Sequence, residues 1–170
     1  MELFDDNKKG ADFSNNGKHR YRLWRIWDET KPYALCIGLN PSTANSEKND
    51  PTINILIKML KSLGYGGLYM MNCFAFITSN PKELLKNVGV IDYSYNKNLI
   101  EVTKWVCKDV IFAWGQFKIL NESNICNELA EMFPNAKCFG KNADGSPIHP
   151  LAMQQRNGRD PNNPQLIPFN

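Results

Sequence analysis

Short apolar or alternating runs, separated by stretches with helical periodicity, constrain this chain more than any other feature. Tyr21–Trp27 alternates in the period of a strand and is rich in aromatic residues that suit one. Tyr33–Leu39, Gly67–Asn72, Asp109–Ala113 and Ala136–Phe139 are short apolar runs bounded by Gly, Pro or Asn. Between them the period changes. Asp50-Pro51-Thr52 opens a helix, with an acidic N-cap and a proline in the first turn. Ile53, Leu56, Ile57, Leu60 and Leu63 then form a one-faced stripe that Gly64 closes. Ser79-Asn80-Pro81 caps a short helical turn through Leu85, and Tyr95–Cys107 and Asn121–Phe133 read as two further helices.

The resulting order is β-α-β-α-β-α-β with short connections. It predicts a three-layer α/β/α fold around a mostly parallel, four-stranded central sheet. Asp28–Pro32 is a turn, so Tyr21–Trp27 and Tyr33–Leu39 read as a hairpin or as adjacent strands, adding an N-terminal hairpin strand. The 170 residues suit one domain, 1–170, with loosely structured ends at 1–18 and 153–170. In a parallel sheet, ligands bind beyond the carboxyl ends of the strands. Those ends carry Gly38-Leu39-Asn40-Pro41, Asn72-Cys73-Phe74, Trp114-Gly115-Gln116 and a loop leading to His149-Pro150. The polar candidates are therefore expected along one edge.

Composition excludes some functions. A net charge of +3 is too small to imply nucleic acid by itself, so an acidic partner must be argued from a local patch. That patch is Lys18, His19, Arg20, Arg22 and Arg25, with Tyr21 and Trp24 interleaved. It reads either as a solvated strand face or as a phosphate-contacting one. The five cysteines are odd in number and include no C-x-x-C pair, which argues for reduced, buried thiols rather than a zinc or iron–sulfur site. Neither a signal-peptide-like apolar stretch nor a run of roughly 18 apolar residues occurs. The expectation is a cytoplasmic protein with no membrane partner, no metal and no cofactor.

Four segments in chain order resemble those of the uracil-DNA glycosylase superfamily. They are Gly38-Leu39-Asn40-Pro41, Leu68–Asn72, Val110–Gly115 and His149-Pro150. More closely, GLNPSTA, DPTI, a GYGG-strand-Asn segment, AWG and G-x-P-x-HPL together resemble the family called domain of unknown function 1643 (DUF1643), over roughly residues 20–152. The superfamily resemblance implies a pocket for one nucleobase and an N-glycosylase-like hydrolase acting on a base in DNA or on a nucleotide. The alternative is a binding module that recognises a nucleotide or modified base without cleaving it.

The chemistry assigns roles. Breaking an N-glycosidic bond needs a positioned water, a donor to the departing base and groups that read the base edge. Asn40 would orient water and His149 would donate to a base oxygen, while Asn72 would read the edge with its acceptor and two donors. Asp50 is the nearest carboxylate to the first motif and is either a helix cap or a catalytic base. Phe74, Phe76 and Trp114 are candidates to stack on the base, and Trp114 equally suits a core. Gln116 is a candidate to face the pocket. Ser42, Thr43 and Arg156 are candidates to hold a phosphate. Asn40-Pro41 also reads as plain turn chemistry, and Asn72 as a group that satisfies loop backbone.

Overall fold

The computed structural model describes residues 8–87, 93–154 and 158–170. Seven strands form one mixed sheet. They are β1 (Lys9–Phe13), β2 (Arg20–Ile26), β3 (Tyr33–Gly38), β4 (Gly67–Asn72), β5 (Asp109–Phe112), β6 (Lys137–Cys138) and β7 (Ile167–Pro168), in the order β1-β2-β4-β3-β5-β6-β7. The helices are α1 (Pro51–Ser62), α2 (Pro81–Asn87), α3 (Tyr93–Lys104), α4 (Lys118–Glu122) and α5 (Ile125–Met132), followed by a 3-10 turn at Pro150–Gln154.

The α/β class stands, and the sheet is larger than a four-stranded, mostly parallel one. Strands β4, β3, β5 and β6 do run parallel, but β1 and β2 extend one side antiparallel and β7 the other. The hairpin expected between Tyr21–Trp27 and Tyr33–Leu39 does not form, because β4 lies between them. The connecting loop bridges the start of β4 instead. Trp27 N and Asp28 N both donate to Gly66 O at 2.9 Å, and Gly66 N donates to Pro32 O at 2.8 Å. The ends expected to be loose contribute strands. Lys9–Phe13 pairs with β2, and Ile167–Pro168 pairs with β6. The single helix expected over Asn121–Phe133 is two helices, parted at Ser123-Asn124.

Side chains alternate across the parallel strands and make two cores. Leu35, Ile37, Tyr69, Met71, Val110 and Phe112 pack with Leu84, Leu99, Ile100, Ile119, Ile125 and Leu129 of α2–α5. Ala34, Cys36, Leu68, Met70 and Ile111 pack on the other side with Ile53, Ile55, Leu56, Met59 and Leu60 of α1. Each such aliphatic side chain is worth about 1.5–3 kcal/mol when fully buried. The start of α1 is as expected: Asp50 accepts from Ile53 N at 2.9 Å and Pro51 occupies the first turn.

This wiring determines where a ligand can enter. The chain leaves β3, crosses one face through α1 and returns as β4 on one side of β3. It then crosses the opposite face through α2 and α3 and returns as β5 on the other side of β3. The loops after β3 and β5 thus diverge to opposite faces, which opens a crevice at their carboxyl ends.

Candidate functional site

The crevice holds a cavity of about 100 Å³ lined by Arg20, Gly38, Leu39, Asn40, Ser42, Asp50, Thr52, Ile53, Met70, Asn72, Phe117 and His149. Residues from the ends of β3 and β4, the start of α1 and the loops after β5 and β6 therefore meet at one place.

Asn72 is the last residue of β4 and is 1 % exposed. Neither its Oδ1 nor its Nδ2 has a hydrogen-bond partner among the described residues. A buried polar group left unpaired costs about 1–3 kcal/mol, so an idle amide here is a cost to the empty fold. Its place depends on Gly38, its partner in the β3–β4 register. A Cβ on Gly38 would lie 2.8 Å from Asn72 Oδ1 and 2.6 Å from Met70 Cε.

Asn40 staples two rim loops together. Its Nδ2 donates to Pro41 O at 2.9 Å and to Thr78 O at 2.7 Å. Thr78 N donates back to Pro41 O, so the loop after β3 is locked to the loop after β4. With both donors engaged, the amide's remaining capacity is the acceptor Oδ1.

His149 is held from the far side. Its Nδ1 accepts from Leu151 N at 3.2 Å, which puts the proton of the neutral ring on Nε2. Burial pushes its pKa below the ordinary histidine value, with Asp50 opposing. Gly115, with φ of +79°, lets the ring in, since a Cβ there would lie 3.1 Å from His149 Cβ. Asp50 uses Oδ1 to cap α1 while lining the cavity.

Arg20 is 2 % exposed. Its Nη1 donates to Ala44 O at 2.7 Å, and its Nε has no partner among the described residues. Burial pushes its pKa down to about 10, with Asp50 opposing, and it stays protonated at neutral pH.

The structure thus gathers Asn40, Asn72, His149, Asp50 and Ser42 around one cavity. The other sequence-predicted residues lie elsewhere. Phe74 is buried in the core beneath α2–α5. Phe76 packs edge-on against His19 at 5.7 Å, in a separate hollow. Trp114 is 2 % exposed and packs on Phe112 at 4.5 Å. Gln116 and Thr43 are exposed and do not line the cavity. Arg156 is outside the described residues.

The arginines of the basic stretch do not form a solvated face, because Arg20, Arg22 and Arg25 are all buried, while Lys18 is exposed and His19 half-buried. Arg22 pairs with Asp12 at 2.7 Å. Arg25 donates to Asn49 Oδ1 and to the carbonyls of Gly10, Trp24, Asn45 and Lys48. Arg20 and Arg25 therefore fasten the 44–49 segment that leads to Asp50. Sequence reasoning missed Thr52, Met70 and Phe117 as cavity residues, and it named Arg20 only within the basic stretch and not beside Asn40, Asn72 and His149. Phe117 follows the Trp-Gly strand end, which was a usable signal, and the basic stretch 18–25 did not show which of its arginines reaches the cavity.

Larger hollows of about 400, 490 and 540 Å³ open elsewhere among the described residues. The first two contain no buried unpaired polar atom, and the third contains only Ser123 Oγ. The small cavity has three such atoms, and unpaired groups rather than volume mark it out. No group of three or more His, Cys, Asp or Glu that could hold a metal occurs among the described residues. No described helix is long and apolar enough to cross a membrane.

A family model for a protein of unknown function, DUF1643, matches residues 20–151. The chain belongs to the DUF1643 family. No curated protein and no solved structure matches it. The DUF1643 match starts at Arg20 and ends just past His149, so it contains every residue that lines the cavity.

Proposed function

We propose that the cavity binds one nucleobase-sized ring and that the protein hydrolyses the N-glycosidic bond of that base, in DNA or in a nucleotide. The observation that carries this reading is the idle, buried amide of Asn72 on the cavity that His149, protonated at Nε2, also lines. An acceptor and a donor on one planar group match the alternating edge of a pyrimidine-like ring. About 100 Å³ suits a single ring and is well below the space a dinucleotide cofactor needs.

In this mechanism Asn40 Oδ1 orients a water toward the anomeric carbon, with the carboxylate of Asp50, which lines the same cavity, as the proton acceptor. The water oxygen bonds to the anomeric carbon, and the bond to the ring nitrogen breaks. Its electron pair leaves with the base. The water's proton passes to the carboxylate, and the neutral His149 donates through Nε2 to the base oxygen on which charge gathers. The late His-Pro segment and the Gly-x-Asn-Pro segment resemble those of uracil-DNA glycosylases, in keeping with this assignment.

A second reading is recognition without cleavage. It is favoured by the engagement of both Asn40 donors in loop contacts and by the use of Asp50 as a helix cap. One experiment separates the two. The protein is incubated with uracil-containing, mismatched and modified-base oligonucleotides and with nucleotides, and released base is read by mass spectrometry. Base release that Asn40→Ala or His149→Ala abolishes supports hydrolysis. Thermal stabilisation by a ligand with no released base supports recognition alone. Neither effect from any compound refutes both readings.

A further inference from the structure

The proposed base site includes a buried cation that makes no direct ion pair with a described carboxylate. Among the three buried arginines of β2, Arg22 is paired with Asp12, and Arg25 has five acceptors. Arg20 has one carbonyl, from Ala44, and makes no salt bridge with a described carboxylate. Its Nε is buried, unpartnered and on a residue that lines the cavity. Asp50 offsets the Arg20 charge without a direct contact, and a buried charge lacking a direct partner costs more than an unpaired neutral amide, so Arg20 is the group whose completion gains most.

The donors around the cavity reinforce this. Arg20 Nε and Asn72 Nδ2 are unpartnered, the neutral His149 carries its proton on Nε2, and all three residues line the cavity. The carboxylate of Asp50 is the opposing charge. It sits at the N-terminus of α1 with one oxygen held by Ile53 N, where the helix dipole offsets it.

We infer that the occupant is an acidic heterocycle, a nucleobase-type ring that carries negative charge at neutral pH, and that Arg20 selects it. This rests on the base-recognition reading above. A charged acceptor turns the idle Arg20 Nε–H into a charge-assisted hydrogen bond, roughly twice as strong as one to a neutral carbonyl. Asn72 then reads the ring edge, and Arg20 reads its charge.

The test is an acidity series on one ring: uracil, 5-fluorouracil, 5-nitrouracil and barbiturate, titrated calorimetrically into the full chain at neutral pH. Affinity is expected to rise by about tenfold or more from uracil to the ionised members. Arg20→Gln, which keeps a donor for Ala44 O, is expected to flatten that gradient. If Arg20→Gln does not fold, the wild-type gradient still decides the ligand class, and Arg20→Lys, with its charge displaced, is expected to weaken it. Equal affinity across the series overturns the assignment of charge selection and leaves base recognition standing, with Arg20 a loop anchor. Binding of no member, alongside no binding of any nucleotide, overturns base recognition and this inference together.

Discussion

Gly38 and Asn72 stand opposite each other in the parallel pair β3–β4, and the bare backbone of the first is the seat of the amide of the second. Met70 Cε shares that seat. A methyl group at position 38 meets both, and although the methionine can swing aside, the amide is enclosed. Gly38→Ala is therefore expected to cost about 1–3 kcal/mol and to displace Asn72. Urea unfolding reads the stability, and a nucleotide-induced thermal shift reads the site. Unchanged stability with unchanged ligand response would show that the amide has room to spare.

Asn72→Leu separates stability from function. The side chain is nearly the same size, and the amide it removes has no hydrogen bonds to lose. The variant is expected to be as stable as the wild type or up to about 2 kcal/mol more stable, because an unpaired buried group is gone. Ligand response should vanish in the same protein. A marked loss of stability on unfolding would mean that the amide is already satisfied in the folded state.

His149 sets a pH dependence with a definite sign. Burial lowers its folded pKa below the ordinary 6.5, with Asp50 opposing. As pH falls through that ordinary value the unfolded chain takes up the proton first, so stability rises with pH between the folded and unfolded values and is lost on acidification through that window. Protonation also turns Nδ1 from acceptor to donor against Leu151 N. Melting curves of wild type and His149→Gln between about pH 5 and pH 8 should differ in slope, the variant being flatter. Parallel curves would remove His149 as the source.

Much of the crevice was legible because a parallel sheet sends every carboxyl strand end to one edge. Asn40, Asn72 and His149, far apart in the chain, share one cavity for that reason. The Asp50-Pro51 start of α1 was legible because capping is local chemistry. Strand order was not, since the periodicity of Tyr21–Trp27 carries no information about which strand lies beside it. The arginines of β2 were misread for a similar reason. Alternating Arg residues look solvated unless the acceptors are known, and these lie at Asp12 and at 44–49. Phe74 and Phe76 follow a strand end, where alternation stops predicting direction, and both turn away from the cavity.

Thiol reactivity should single out one of the five cysteines. Cys36, Cys73, Cys107 and Cys138 are buried, and burial pushes their pKa values up, that of Cys107 to about 12. Cys126 is half-buried, and a hydrogen bond from Cys73 pulls its pKa down. Native protein is expected to take one maleimide rapidly, read by mass spectrometry, and Cys126→Ser to take none on the same timescale. Rapid labelling of two or more sites in native protein would contradict the packing of the sheet.

Arg25 reaches the site only through the loop it holds. Its guanidinium binds the carbonyls of Asn45 and Lys48 and the side chain of Asn49, one residue before the Asp50 cap. Arg25→Ala is expected to cost about 3 kcal/mol, since it strips the buried carbonyls of Gly10 and Trp24 and the part-buried acceptors of 45–49 of their donor. Arg25→Lys should recover little of this, because an ammonium cannot reproduce the planar fork. The informative readout is hydrogen exchange. Amides of 45–49 and the first turn of α1 should lose protection in both variants, while β3–β5 amides keep theirs. Uniform loss of protection across the sheet would instead make Arg25 a residue of the global fold.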